Sequence, residues 1–194
     1  MRSASWRRAR HKHRMIPMQR IGLTLAATLA LLGSLTAQTA SKAPAAAMQV
    51  QSNLNQLMRG TLYPASNVVF SAQIDNPGDV KFIPGQDPSL ATNPLVSTFG
   101  GWQAIENASL ALTEEANLLL IPGRSCANGA PAPVNDPDWV KFVQQLRDAG
   151  MKAYKAAQSK NQDNMIEAAD TLTTACANCH RKWREKRNPA DRCK

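Results

Sequence analysis

The chain has 194 residues, 43% of them hydrophobic, and a formal charge of +9, a length that supports one domain with a sizeable core. The charge does not point to a nucleic-acid ligand: residues 1–40 carry seven Arg or Lys and no acid, whereas the remainder carries 16 basic and 14 acidic side chains, a net of +2. The basicity belongs to the N-terminus.

That N-terminus, residues 1–40, reads as an export signal: an Arg-rich start, an apolar run from Ile21 to Ala37, then small residues suited to a peptidase. Translation from Met15 or Met18 gives a more ordinary signal, and cleavage after Ala37, Ala40 or Ala47 is tolerable. Arg7-Arg8 lies far from the apolar run and lacks the surroundings of a twin-arginine signal. The run falls short of the roughly 20 residues of a spanning helix. The expectation is a periplasmic protein that does not span the membrane after cleavage, with an uncleaved anchor as the competing reading.

After an Ala-rich linker, Val50, Leu54, Leu57 and Thr61 share a helical stripe with Met58 beside it, which predicts a first helix. Pro64 is predicted to kink or interrupt it. The following "NVVFSAQI" carries the chain's one weak strand pattern. Residues 74–100 contain Pro77, Pro84, Pro88 and Pro94 and read as a long loop, unusual inside a compact domain.

A second helix is predicted from about Trp102 to Leu120, with Trp102, Ile105, Ser109, Leu112, Ala116 and Leu119 on one face, stopping at Pro122-Gly123. A third begins at Asp136 as N-cap with Pro137 at its first position and ends near Ser159. The fourth starts between Asn161 and Asn164 and turns Met165, Ala169, Leu172, Cys176, Cys179, His180 and Trp183 inward. Four helices, the last two joined by a short turn, predict an all-α four-helix bundle formed by residues 48–194.

The chemistry lies in "CANCH", where Cys176, Cys179 and His180 form C-x-x-C-H. On a helix the two cysteines lie about 60° apart around the axis, with the histidine on the Cys176 side. One face thus offers two thiols and an imidazole, which suits covalent attachment of haem to the thiols and ligation of its iron by the histidine. Each competitor meets an objection. A zinc site wants four ligands, and Cys126 and Cys193 do not form a second C-x-x-C. A redox dithiol wants a βαβ context. Plain core cysteines would leave free thiols in an oxidising compartment.

A helical chain whose last helix carries "CANCHRKWR" resembles the cytochrome c-prime family, the class II c-type cytochromes. The resemblance spans about Met48 to Arg187 in helix order, and its specific part is Cys176 to Arg184. It implies one covalent haem c, thioether bonds at Cys176 and Cys179, iron ligation by Nε2 of His180, Trp183 near the haem edge and Arg184 bordering the proximal face. In low-spin relatives a methionine of the first helix is the sixth ligand. "LMR" here resembles their Leu-Met-Lys, which makes Met58 the candidate. Arg59 is a candidate for a haem propionate, a guanidinium being well matched to a carboxylate.

Met58 ligation implies single-electron transfer rather than an enzyme; the resemblance leaves room for a redox partner protein and, as in many relatives, for a homodimer. Leu57 closing the site implies instead a five-coordinate cytochrome that binds nitric oxide or carbon monoxide. Met48, Met151 and Met165 are weaker ligand candidates. The chain departs from the family in its long loop after Gln73, which can fold over the haem, and in Cys126 and Cys193, which can pair as a disulfide in an oxidising compartment. The cluster Arg181, Lys182, Arg184, Lys186 and Arg187 offers a surface to an acidic partner, or is simply a solvated helix end suited to the helix dipole.

Overall fold

The computed structural model describes residues 48–81 and 85–193. The predicted export signal and linker lie outside them. The described residues are all-α, with four helical segments and no strand; a lone antiparallel bridge joins Ser125 to Pro131.

The first segment comprises α1 (Leu54–Leu57), a π-helical turn (Met58–Leu62) and α2 (Tyr63–Ser71), which run end to end. It starts at a capping box: Asn53 Oδ1 accepts from Gln56 N (2.9 Å), and Gln56 Oε1 accepts from Asn53 N (3.0 Å). Val50 therefore lies ahead of the helix, not on its stripe. Pro64 does not interrupt the segment. The turn before it is widened, with Tyr63 N donating to Met58 O five residues back, which takes up the place where an α-helical ladder would call on the N–H that proline lacks. Buried Ser66 returns a hydroxyl to Leu62 O (2.7 Å). The weak strand pattern is overridden, and residues 67–71 are helical.

Residues 74–81 and 85–100 hold only two short 3₁₀ turns, Pro88–Leu90 and Pro94–Val96. Asp87 and Asn93 each accept from the N–H two residues on, the behaviour expected of Asx-Pro starts. Leu95 anchors the segment in the core, and Gly100 passes so close that a Cβ there would stand 2.2 Å from Leu95 O.

The next segment is α3 (Gly101–Glu115), tightened into a 3₁₀ turn over Ala116–Leu120. Arg124 follows, its side chain buried with no carboxylate partner among the described residues. Its guanidinium donates to Ser52 O (2.6 Å), Ser52 Oγ (2.9 Å) and Leu118 O (3.3 Å), tying the approach to α1 to the end of the α3 segment.

Then come α4 (Pro137–Ser159) and α5 (Gln162–Trp183), each capped as its sequence suggests: Asp136 accepts from Asp138 N and Asn161 from Asn164 N. Lys160, in the left-handed region at φ 51°, makes the turn between them. The two helices are antiparallel, because Lys182 reaches Asp138 (2.6 Å), Asn178 reaches Gln145 (3.2 Å) and Lys152 reaches Glu167 (2.6 Å). Antiparallel α3 meets α4 through Trp139 Nε1, which donates to Leu119 O (2.9 Å), and through Gly150, which faces Thr113. Ile105, Leu112, Trp139, Val143, Met165 and Leu172 are buried between the helices.

Candidate functional site

The last two turns of α5 border a cavity of about 660 Å³. Cys176, Cys179, His180 and Trp183 form one wall; Leu54, Met58, Arg59 and Leu62 supply a second from the first helical segment. Trp139, Phe142 and Leu146 of α4 and Leu112 of α3 form an apolar floor, and Glu185, Arg192 and Cys193 of the C-terminal tail complete the rim. All seven residues singled out from the sequence, Met58, Arg59, Cys176, Cys179, His180, Trp183 and Arg184, line this one cavity.

Helix periodicity accounts for the α5 wall. Ala168, Ala169, Leu172 and Ala175 are buried against neighbouring helices, and positions 176, 179, 180 and 183 continue that face beyond the packed core. There Cys176, Cys179 and His180 are half-buried. Trp183 is buried and meets the rings of Trp139 and Phe142 edge-on, at 5.0 and 5.6 Å between centroids, the arrangement aromatic quadrupoles favour.

Burial dominates the electrostatics of this wall. It pushes the Cys179 thiol up to about 12, with Cys176 adding to the shift, and raises Cys176 against the weaker pull of Arg184. Both are protonated thiols at neutral pH, unlike the depressed thiolate of a redox dithiol. Burial lowers the pKa of His180, with Arg184 acting in the same direction and Glu185 opposing, so neutral imidazole, the form that ligates a metal, is favoured.

Other candidates are placed elsewhere. Leu57 is buried in the core and does not line the cavity; Leu54 and Leu62 flank Met58 instead. Of the described methionines Met58 alone lines it, Met48 being exposed and Met165 fully buried in the core. No described residue of 74–100 reaches the cavity, so among those residues the long loop does not fold over it. The tail does, because Cys193 is disulfide-bonded to Cys126 with 4.9 Å between their Cα atoms. That bond also removes both cysteines from any zinc ligand set.

Within the basic cluster, Lys182 pairs with Asp138 (2.6 Å) and Asp136 (3.5 Å), Arg184 with Glu185 (2.6 Å), and Arg181 binds Asn178. Much of its charge is met locally, which favours the solvated-helix-end reading. No family model matches the chain, and no curated protein or solved structure matches it.

The expected Cys126–Cys193 disulfide is present, but two features of the site were not anticipated. Arg192 and Cys193 line the rim from beyond the last helix, and their approach depends on a disulfide that spacing does not dictate. Glu115, beside Thr61 of the π turn, is pushed above its ordinary carboxylate range by burial, the Thr61 hydroxyl opposing. That hydroxyl donates to Leu57 O (2.9 Å), and Glu115 Oε2 is buried with no partner among the described residues.

The donor set fits a covalently held haem. Two protonated thiols and a neutral imidazole share one helix face, a thioether stands on a second wall, and the space between is mostly apolar. Its volume lies within the roughly 300–1,000 Å³ of cofactor pockets.

Proposed function

We propose that the protein is an exported monohaem c-type cytochrome of the cytochrome c-prime kind, a four-helix bundle whose last helix carries the haem and whose task is single-electron transfer. One observation carries the reading: Cys176, Cys179 and His180 of C-x-x-C-H line the same apolar cavity as Met58. In this reading Cys176 and Cys179 hold the group through thioether bonds, and His180 and Met58 are its two axial ligands. Trp183 and Arg184 border it, and Arg59 is available to a propionate. When bound, the haem supplies a one-electron couple at its iron, whose potential depends on axial ligands and burial.

The chain's own contribution is positional. Trp139, Phe142 and Leu146 exclude water from the floor of the cavity. The long α5, capped at Asn161 and packed along α4, holds the two thiols and the imidazole on one rigid face. Lys182, Asn178 and Lys152 also link α5 to α4 along its length. A redox partner, periplasmic location and dimer formation belong to the same proposal.

Mass spectrometry of the exported protein is the first test: the peptide holding Cys176 and Cys179 carries one haem-sized addition, and its absence would overturn the reading. The absorption spectrum then separates the two functions. Met58 ligation gives a low-spin reduced spectrum unmoved by carbon monoxide, and Met58→Ala converts it to a high-spin spectrum that responds to the gas. A wild-type spectrum already high-spin and shifted by carbon monoxide would establish the gas-binding alternative, with Leu54 and Leu62 closing the distal side.

A further inference from the structure

Three arginines reach the cavity: Arg59, Arg184 and Arg192. Arg184 is exposed and already paired with Glu185 at 2.6 Å, the cavity's one lining carboxylate. Arg59 is exposed on the π turn. Arg192 differs from both. It is half-buried, its Nε donates to Lys186 O (2.6 Å), and its two terminal nitrogens have no protein partner among the described residues.

The backbone that presents Arg192 is held at several points. Asn128 Nδ2 donates to Ala190 O (3.0 Å) and Arg192 O (3.2 Å), and Cys193 N donates to Trp183 O (3.0 Å). The Cys126–Cys193 disulfide fixes the next residue covalently. A tail beyond a last helix ordinarily frays; this one is tied so that a guanidinium fork borders an apolar cavity. The guanidinium meets no carboxylate among the described residues, and a planar fork is the group best shaped to take one in two parallel hydrogen bonds.

We propose that Arg192 is a carboxylate-binding residue, positioned by the Cys126–Cys193 disulfide, that holds an acidic side chain of the group bound at Cys176, Cys179 and His180. The inference rests on the haem reading, since haem carries two propionates, and it gives the disulfide-tied tail a part in cofactor recognition. Arg59 and Arg192 then form a pair of cations, one from the first helical segment and one from the tail, for a ligand with two carboxylates.

The test uses the full chain carrying Cys176→Ala and Cys179→Ala, prepared without haem and titrated with zinc protoporphyrin IX or its dimethyl ester by fluorescence. The parent binds the diacid more tightly than the ester. Arg192→Gln weakens diacid binding about tenfold, the loss of one charged hydrogen-bonded contact, and leaves ester binding unchanged. Cys126→Ser with Cys193→Ser reproduces that loss, Arg192→Lys recovers only part of the preference, and Arg181→Gln, an exposed arginine that does not line the cavity, keeps it. Circular dichroism confirms that the variants compared are equally helical, and the Lys variant, which keeps the charge, carries the comparison if the Gln variant unfolds. Equal binding of diacid and ester by the parent, or full diacid affinity in Arg192→Gln, overturns the proposal while sparing the haem reading. A parent that binds neither porphyrin overturns this proposal, while the mass of the peptide holding Cys176 and Cys179 in the exported wild type separately decides the haem reading.

Discussion

Gly150 lies where α4 runs close against α3: a Cβ there would stand 2.4 Å from Thr113 Oγ1 and 3.0 Å from Ser109 O. Glycine to alanine in a helix interior ordinarily stabilises by about 1 kcal/mol. Here the added methyl must push a backbone carbonyl as well as a side chain, and overpacking of that kind costs about 1–3 kcal/mol. The expected outcome is that Gly150→Ala lowers stability in urea unfolding despite its better helix propensity. Glu115 gives a pH signature. Its folded pKa is raised above the ordinary 4.5, so the folded state holds the proton more tightly than the unfolded one. The stabilising contribution of that proton is complete below 4.5 and is lost as pH rises through the folded value. Glu115→Gln should therefore raise the melting temperature at pH 7 and leave it nearly unchanged at pH 4. An equal rise at both pH values would show that charge is not the cause.

At the scale of elements, Arg124 ties the residues just ahead of α1 to the end of the α3 segment. Its donors reach Ser52 ahead of α1 and Leu118 in the 3₁₀ turn after α3, and hydrogen bonds to a charged group contribute about 1.5–3 kcal/mol each. Arg124→Ala is expected to destabilise the protein by about 2–4 kcal/mol, read as a lower urea midpoint, with faster amide exchange in α1 than in α5. This tie was not legible in the sequence, where Arg124 is one basic residue in a loop. The helices were legible for identifiable reasons: Asp136-Pro137 is a cap followed by a residue preset for a first turn, and the apolar stripes of α3, α4 and α5 repeat at helical spacing. The π turn was hidden because its signal, a proline inside a helical pattern, is shared with ordinary kinks and stops. In the cavity, the α5 wall followed from the spacing of C-x-x-C-H, and the placement of Met58 and Arg59 was suggested by family resemblance. The rim residues Arg192 and Cys193 depend on a tertiary disulfide and carry no local pattern.

For the molecule as a whole, the Cys126–Cys193 bond spans 67 residues, and closing a loop of that length restricts the unfolded chain by about 4 kcal/mol in the entropic treatment. Replacing both cysteines by serine should lower the melting temperature by roughly 10 °C, and reduction of the wild type with a dithiol should do the same. A melting temperature unmoved by either treatment would show the bond to be thermodynamically idle. The bond also gives the protein an unequal topology. Residues 126–193 form a closed covalent ring that contains Trp139, Cys176, Cys179, His180 and Trp183, whereas Met58 and Arg59 sit on an open arm outside it. The ring cannot spread far even when its helices loosen, and a cut at the Lys160 turn leaves both pieces of the ring joined. The arm has no such restraint. Partial unfolding consequently strips away the Met58 side of the cavity first, while the thiols and the imidazole stay gathered.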